Sequence, residues 1–209
     1  MLIRKEHLQS GGLLGIWKMT ESREELLSLF PATLLGEALH YLGGIRSERR
    51  SIEWLSTRIM LFQLMGEEQI IHNREDGSPY LKDGEQRISI SHTREYAAML
   101  LHPRAAVGID IETRTERVSR IADKFIAANE YIDSKQRTLH QLLHWSAKES
   151  LFKLIGMQGI DFREHLHIAP FTPADKGLMH AMERRSALHH SFIIHYEVHP
   201  DYVLTWTMG

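Results

Sequence analysis

The sequence predicts an α+β fold, in preference to a regular alternation of strands and helices. Helical patterns fill much of the first third of the chain, and a block of short strand-like segments follows at 88–111. Two further helical stretches come next, and three strand-like segments lie near the end. Runs of strands and runs of helices in separate blocks are typical of α+β proteins.

The first helices are predicted from caps and from apolar spacing. Ser22 and Glu25 have the Ser-x-x-Glu form of a capping box before a leucine-rich stretch, so a helix should begin there. The glycines at 43 and 44 should end the next helical pattern. From Ser47, apolar residues recur at intervals of three and four, which predicts one buried helical face ending near Gly66: Ile52, Leu55, Ile59 and Phe62.

The central block is predicted to be a loop followed by adjacent strands. Residues 73–83 contain Asp-Gly and Ser-Pro, both turn signals. Residues 88–91 alternate with period two, 96–101 form an apolar run, and 107–111 form a third run rich in β-branched residues. Helical stretches are then expected through 118–125 and 138–154, and strands at 166–171, 191–199 and 202–207.

Composition excludes several classes of protein. The 209 residues carry 25 basic and 27 acidic side chains, a formal charge of −2, which excludes a basic nucleic-acid-binding tail. Cysteine is absent, so disulfides, thiolate metal sites and a cysteine nucleophile are excluded. The 14 histidines are scattered, which disfavours a histidine metal site. We expect a cytoplasmic protein without membrane contact, because no signal peptide or membrane span is evident. No internal repeat or flexible linker is visible either.

Two carboxylates in the third strand run are the first candidate site. Asp110 and Glu112 are two positions apart, so they share one face of a strand while Ile109 and Ile111 point to the other. Such a pair suits a hard divalent cation with oxygen ligands, Mg²⁺ above all. The alternative is a strand end whose acids face solvent or pair with Arg114.

The segment Trp145-Ser-Ala-Lys-Glu-Ser-Leu-Phe-Lys153 adds a second candidate. Glu149 and Lys153 are four positions apart on the predicted helix and fall on one face. By itself this is an ordinary surface ion pair, worth a few tenths of a kcal/mol. Beside Asp110 and Glu112, it would supply a third carboxylate and a phosphate-binding ammonium group.

These motifs resemble the 4′-phosphopantetheinyl transferase family, specifically its larger, monomeric surfactin-synthetase-activating type. The resemblance rests on four blocks in order, which span about half the chain: the Gly77-Ser78-Pro79-Tyr80 turn, the strand Ile88-Ser-Ile-Ser-His-Thr93, the block Val107 to Glu112, and the block Trp145 to Lys153 followed by Gly156 and Gly159. Members of the family transfer the phosphopantetheine arm of coenzyme A to a serine of an apo acyl, polyketide or peptidyl carrier protein, and they release adenosine 3′,5′-bisphosphate.

The resemblance implies roles for the four charged residues. Asp110, Glu112 and Glu149 would hold Mg²⁺ against the pyrophosphate of coenzyme A, and Lys153 would contact that pyrophosphate. Glu149 would also help to deprotonate the carrier serine, directly or through a water molecule. A site that positions and neutralises phosphates suits this reaction.

Further residues would bind the nucleotide end of coenzyme A. His92, after Ser91, matches the histidine that contacts the 3′-phosphate. The turn of Gly77, Ser78 and Pro79 would lie against adenine through its backbone, and Ser78 stands where the family often has lysine. The early arginines are loose matches for 3′-phosphate ligands: Arg49, Arg50 and, as a further possibility, Arg58. Trp145 and Phe152 are expected to pack the helix.

The resemblance also implies a pseudo-dimer of two similar α+β halves, 1–103 and 104–209, with a seam at Pro103 and coenzyme A and Mg²⁺ between the halves. The protein would be a monomer. Two alternatives stay open from the residues: a non-catalytic protein that keeps the coenzyme A site, and an unrelated Mg²⁺-dependent phosphotransferase or nucleotidyltransferase. The three carboxylates with Lys153 argue against the first, and the absence of a Walker-type phosphate loop weakens the nucleotide-hydrolase form of the second.

Overall fold

The computed structural model describes residues 1–82 and 86–209. These residues form two compact units, Met1–Arg104 and Ala105–Gly209, each with its own hydrophobic core. Both units combine helices with antiparallel sheet, which confirms the predicted α+β class. Within those two ranges, no helix is long and apolar enough to cross a membrane. Asp83, the last residue of the predicted loop, lies outside the described residues.

The N-terminal unit is built on a four-stranded antiparallel sheet in the order β1-β2-β6-β5. Its described strands are β1 (Leu2–His7), β2 (Leu13–Lys18), β3 (Ile71–Asn73), β4 (Pro79–Leu81), β5 (Arg87–His92) and β6 (Tyr96–His102). Its described helices are α1 (Arg23–Ser28), α2 (Leu35–Gly43) and α3 (Glu48–Met65). Helix α3 packs on β2 and β6, while β3 and β4 pair separately.

The helix starts and ends of this unit follow the predicted caps. The Ser22 hydroxyl accepts from the Glu25 backbone N–H and the Glu25 carboxylate accepts from the Ser22 N–H, so the capping box is confirmed. Ser47 caps α3, and Gly66 ends it in the left-handed conformation at φ 74°. A residue with a Cβ is strained at that φ, which is why glycine stops the helix there.

The first two strands were not predicted. Strand β1 carries charged side chains along much of its length, and β2 has a glycine inside an otherwise apolar run that is buried on both faces. Neither shows the period-two alternation of a half-buried strand. Their identity as strands comes from pairing, β2 with both β1 and β6.

The C-terminal unit contains a five-stranded antiparallel sheet in the order β7-β11-β10-β9-β8. The strands are β7 (Val107–Thr113), β8 (Leu166–Ile168), β9 (Lys176–Glu183), β10 (Ser191–Val198) and β11 (Tyr202–Met208). Helix α4 (Arg137–Ile155) packs on β7 and β11, at the edge of the sheet that carries the candidate carboxylates.

Two features of this unit differ from what the sequence predicted. The stretch at 118–125 is a 3₁₀ helix, Glu116–Lys124, that buries only Val118, too little apolar surface to hold an α-helix by packing. Strand β9 was missed, because Lys176–Glu183 contains no β-branched or aromatic residue and takes its structure from pairing with β8 and β10.

The two units share a helix ending and a hairpin, although no repeat was evident in the sequence. The pattern Leu-Phe-x-Leu-x-Gly occurs at 61–66 and again 90 positions later at 151–156. In both, the left-handed glycine donates its backbone N–H to the phenylalanine carbonyl four residues earlier. Each unit also has a hairpin that closes with the same backbone hydrogen bond to the tyrosine that begins its second strand. Before β6, the Thr93 N–H donates to the Tyr96 carbonyl, and before β11, the His199 N–H donates to the Tyr202 carbonyl. By strand register, Lys18 opposes Tyr96 as Thr113 opposes Tyr202, so β2 corresponds to β7.

Candidate functional site

Strand β7 turns its two acidic side chains towards α4. Asp110 and Glu112 lie on the same side of the strand as Gly108, while Ile109 and Ile111 are buried on the other. A Cβ built on Gly108 would stand 1.9 Å from the Ser150 carbonyl oxygen of α4, so only glycine allows this approach. Gly108 is therefore what brings the helix against the carboxylates, a role that the sequence analysis did not assign.

Helix α4 brings Glu149 and Lys153 to the same place. The Lys153 ammonium group donates to Asp110 Oδ1 at 2.9 Å and to the Ile109 carbonyl at 3.0 Å. Lys153, which was predicted to share a helix face with Glu149, therefore also connects α4 to β7. The four candidates of this unit form one cluster: Asp110, Glu112, Glu149 and Lys153.

Burial and neighbouring negative charge raise the pKa values of the two glutamates of the cluster. Burial, together with the charge of Asp110, raises the pKa of Glu149 to about 7, against the opposing effect of Lys153. Burial and the charge of Asp110 also raise the pKa of Glu112. Unlike an ordinary surface ion pair, these acids are held where their negative charge is unfavourable, which is typical of functional sites.

Trp145 fixes the position of Glu112. Its indole Nε1–H donates to Glu112 Oε1 at 2.7 Å, while its ring packs edge-on against Phe125 and tilts against Phe162. The sequence analysis expected Trp145 to pack the helix only. The structure adds a hydrogen bond that orients a candidate ligand atom, the kind of support that metal-binding carboxylates usually receive.

The adjacent Lys148 anchors α4 from behind the cluster. Its buried ammonium group donates to Glu130 Oε2 at 2.7 Å and to the carbonyls of Phe125 and Phe162. Burial by itself would raise the pKa of Glu130, but the contacts from His144 and Lys148 hold it at about 2. This buried pair fixes the helix that carries Glu149 and Lys153.

The donor set fits a hard divalent cation in type, because it consists of carboxylate oxygens that repel one another. In the part of the chain that the structure describes, however, no three or more acidic, histidine or cysteine side chains are arranged as a ready-made metal cage. Lys153 balances Asp110 in this arrangement.

Strand β5 and helix α3 bring together part of the predicted nucleotide-binding set. His92 Nδ1 lies 3.7 Å from Glu53 Oε1, and the same oxygen accepts from Arg49 Nε at 2.8 Å. Arg50 is exposed next to Arg49, and Ser91 is buried on β5. Arg58 lies elsewhere on α3, with its guanidinium group over the Trp54 ring.

The predicted turn is a compact, self-bonded loop before β4. Gly77 has φ 85°, which favours glycine. Asp76 Oδ1 accepts from the Ser78 backbone N–H at 2.8 Å and from the Ser78 hydroxyl at 2.6 Å, and these bonds lower the pKa of Asp76. Arg74 donates to the Ser78 hydroxyl and to the Pro79 carbonyl. The Ser78 side chain therefore stabilises the turn itself.

One comparison with known proteins falls in the C-terminal unit. Residues 106–207 match the 4′-phosphopantetheinyl transferase superfamily. This segment of the chain is similar to that superfamily. A similar curated protein is the 4′-phosphopantetheinyl transferase gsp of Aneurinibacillus migulanus, which is 33% identical over an alignment of 107 residues that covers 47% of this chain. The chain spans 43% of the length of that relative.

The match to the 4′-phosphopantetheinyl transferase superfamily contains the whole carboxylate cluster and lies outside the N-terminal candidates. The equivalences between the two units show why one cluster forms. By strand register and helix position, the N-terminal residues that correspond to Asp110, Glu112, Glu149 and Lys153 are Gly15, Trp17, Ile59 and Gln63. The N-terminal unit has the equivalent strand and helix but not the charged side chains.

Proposed function

We propose that this protein transfers the 4′-phosphopantetheine group of coenzyme A to a serine hydroxyl of an apo carrier protein. The observation that carries the proposal is the cluster of three carboxylates and Lys153 inside the segment that matches the superfamily. In the reaction, the serine oxygen forms a bond to the phosphorus next to pantetheine, and the bond from that phosphorus to the bridging oxygen breaks. Adenosine 3′,5′-bisphosphate leaves.

Asp110, Glu112 and Glu149 would hold Mg²⁺. The bound cation would neutralise charge on the pyrophosphate. The support for this assignment is the mutual repulsion of the three acids, which a cation would relieve. Trp145 keeps one Glu112 oxygen in place, so fewer side chains would have to be ordered on binding.

Lys153 and Glu149 would act on the reacting groups. Lys153, already directed at the carboxylate cluster, would donate to a pyrophosphate oxygen and stabilise the leaving phosphate. Glu149 would accept the serine proton, directly or through water.

The N-terminal residues would bind the nucleotide. Arg49, Arg50 and His92 would contact the 3′-phosphate, with Ser91 beside them, and the backbone of Gly77, Ser78 and Pro79 would lie against adenine. The grouping of Arg49 and His92 around Glu53 supports this, because a phosphate could displace the glutamate from both. We further propose that the chain is a monomeric pseudo-dimer, in line with the repeated helix ending and hairpin.

The test is to incubate the protein with coenzyme A, Mg²⁺ and several apo carriers of the acyl and peptidyl kinds, and then to weigh each carrier by mass spectrometry. At least one carrier should gain one phosphopantetheine group, and omission of Mg²⁺ or addition of a chelator should prevent the gain. If the protein binds coenzyme A but no carrier gains mass, the transferase proposal is refuted in favour of a binding module.

A further inference from the structure

A cavity lies within the N-terminal unit, and of the candidate ligands named from the sequence only Arg58 lines it. It has a volume of about 300 Å³ and is bounded by α2, α3 and residues 69–73. Aromatic side chains form much of its wall: Phe30, Tyr41, Trp54 and Phe62. Trp54 stacks on Tyr41 at 4.8 Å and on Phe30 at 5.9 Å between ring centroids. Its volume is at the small end of the range for ligand pockets, about 300–1,000 Å³.

Arg58 brings a positive charge into this aromatic wall. Its guanidinium carbon lies 4.3 Å from the Trp54 ring centroid, and burial lowers the pKa of Arg58 to about 10. Its Nη1 donates to the Trp54 carbonyl and the Thr57 hydroxyl. Among the described residues, no carboxylate lies within 4.0 Å of the group, and neither Nε nor Nη2 has a hydrogen-bond partner.

His72 adds an unsatisfied polar atom to the same wall. Its Nε2 is buried, and no hydrogen-bond partner for it exists within residues 1–82 and 86–209. Buried polar atoms normally have a partner, so an unsatisfied one beside a cavity points to a bound molecule or to water. The cavity therefore offers an aromatic surface and a guanidinium group, and one of its lining residues, His72, carries an unsatisfied buried nitrogen.

Comparison of the two long helices shows that Arg58 lacks a carboxylate partner among the described residues, whereas the equivalent residue Lys148 has one. Arg58 and Lys148 are 90 positions apart and occupy equivalent places relative to the glycines that end their helices. In the C-terminal copy, Lys148 is satisfied internally by the Glu130 carboxylate at 2.7 Å. In the N-terminal copy, the equivalent cation stands at the wall of an open cavity.

We propose that this cavity binds a small aromatic carboxylate. The ring packs among Phe30, Tyr41, Trp54 and Phe62, and the carboxylate accepts hydrogen bonds from Arg58, as Glu130 does from Lys148. The geometry of the guanidinium group matches a carboxylate with two parallel hydrogen bonds.

The charges of the wall favour a carboxylate over a phosphate monoester. Of the described residues that line the cavity, Arg58 is the only permanent cation, which balances one negative charge. Glu37 also lines the cavity and is exposed, so it would oppose a doubly charged phosphate more strongly. Both acids use the same guanidinium chemistry, and the experiment distinguishes them.

The test measures binding of indole-3-acetate to the full chain by isothermal titration calorimetry, without coenzyme A, Mg²⁺ or carrier. A dissociation constant below about 1 mM is expected for a ligand of this size. Acetate and 3-methylindole each supply half of the recognised group and should bind at least about tenfold more weakly. Phenyl phosphate is the phosphate comparison and should also bind more weakly.

Matched variants assign the binding to Arg58. Arg58→Met should weaken binding of indole-3-acetate by about tenfold or more, whereas Arg46→Met, at an exposed arginine that does not line the cavity, should leave it unchanged. Glu37→Gln should tighten binding by up to about fivefold, because it removes an exposed like charge. Circular dichroism checks each fold, and Arg58→Gln replaces Arg58→Met if the latter unfolds.

Absence of measurable binding at about 5 mM ligand would overturn the proposal. Equal affinity for 3-methylindole and indole-3-acetate would overturn the role of the carboxylate, and unchanged affinity in both Arg58 variants would overturn the role of Arg58. Tighter binding of phenyl phosphate would replace the carboxylate with a phosphate. Since the assay contains no coenzyme A, its outcome is independent of the transferase proposal.

Discussion

Acid should destabilise this protein through the buried side chain of His140. The ring is fully buried in the C-terminal unit, its Nδ1 accepts from the Asp133 backbone N–H at 2.9 Å, and Phe171 packs edge-on against it. Burial, and secondarily the neighbouring His144, lower the pKa of His140 from 6.5 to about 4. The folded protein therefore holds this histidine neutral well below the pH at which the unfolded chain protonates it.

The sign and the size of the effect follow from proton linkage. Between pH 6.5 and 4 the His140 ring binds more protons in the unfolded state, so its contribution to the free energy of unfolding falls as the pH is lowered through this window. Glu149, with a raised pKa of about 7, contributes in the opposite direction, so the effect of His140 is read from the difference between the wild type and a His140 variant. Above pH 6.5 the contribution is fully present. At about 1.4 kcal/mol for each pH unit, the difference of the two pKa values corresponds to a loss of about 3 kcal/mol.

The measurement is urea unfolding, followed by tryptophan fluorescence, at several pH values between 7.5 and 4.5. His140→Asn keeps a side-chain acceptor for the Asp133 N–H but cannot titrate, so its stability should vary less with pH. Some slope should persist, because burial also lowers the pKa values of His167 and His195. A matched control is His40→Asn, at an exposed position on α2, which should keep the wild-type slope. If His140→Asn shows the full wild-type slope, the linkage to His140 is refuted.

Four further predictions test the site. Asp110→Asn should abolish Mg²⁺-dependent transfer while leaving the thermal melt near that of the wild type, and full activity would refute the metal assignment. His92→Ala should raise the KM for coenzyme A much more than for dephospho-coenzyme A, and an equal effect on both would move His92 away from the 3′-phosphate. Trp145→Phe should raise the Mg²⁺ concentration for half-maximal activity by about 10–100-fold by freeing Glu112, with Phe152→Leu as a packing control that should not shift it. Gly108→Ala should lower the free energy of unfolding by about 1–3 kcal/mol or more, measured by urea titration, because its Cβ would meet the backbone of α4; a wild-type midpoint would contradict that contact.

Local chemistry made part of this fold predictable. The capping box at Ser22 and the stop at Gly66 depend on residues within a few positions, and the structure confirms them, while the cap that Ser47 forms was not predicted. The period of a strand placed Asp110 and Glu112 on one face, and the period of a helix did the same for Glu149 and Lys153. That these two faces meet required the resemblance to a family, since spacing carries no information about which elements pack together.

The remainder depends on contacts between distant segments. Strand β2 lacks the alternation of a half-buried strand, β9 lacks β-branched and aromatic residues, and both pair with neighbours that supply their hydrogen bonds. The bond from Trp145 to Glu112 joins residues 33 positions apart, so no local pattern announces it. The pairing of Lys148 with Glu130 was not predicted either, because a lysine next to Glu149 on a helix is ordinarily expected to face solvent.

The replacement of the charged cluster by Gly15, Trp17, Ile59 and Gln63 makes the two units unequal in stability. In the C-terminal unit, burial and mutual repulsion raise the pKa values of Glu112 and Glu149, so their ionisation opposes folding. At the equivalent positions of the N-terminal unit, Trp17 and Ile59 are almost fully buried and contribute hydrophobic stabilisation instead. We therefore expect hydrogen exchange to be slower at the amides of α3 than at those of α4, because the C-terminal unit, which contains the carboxylate cluster, should open more readily.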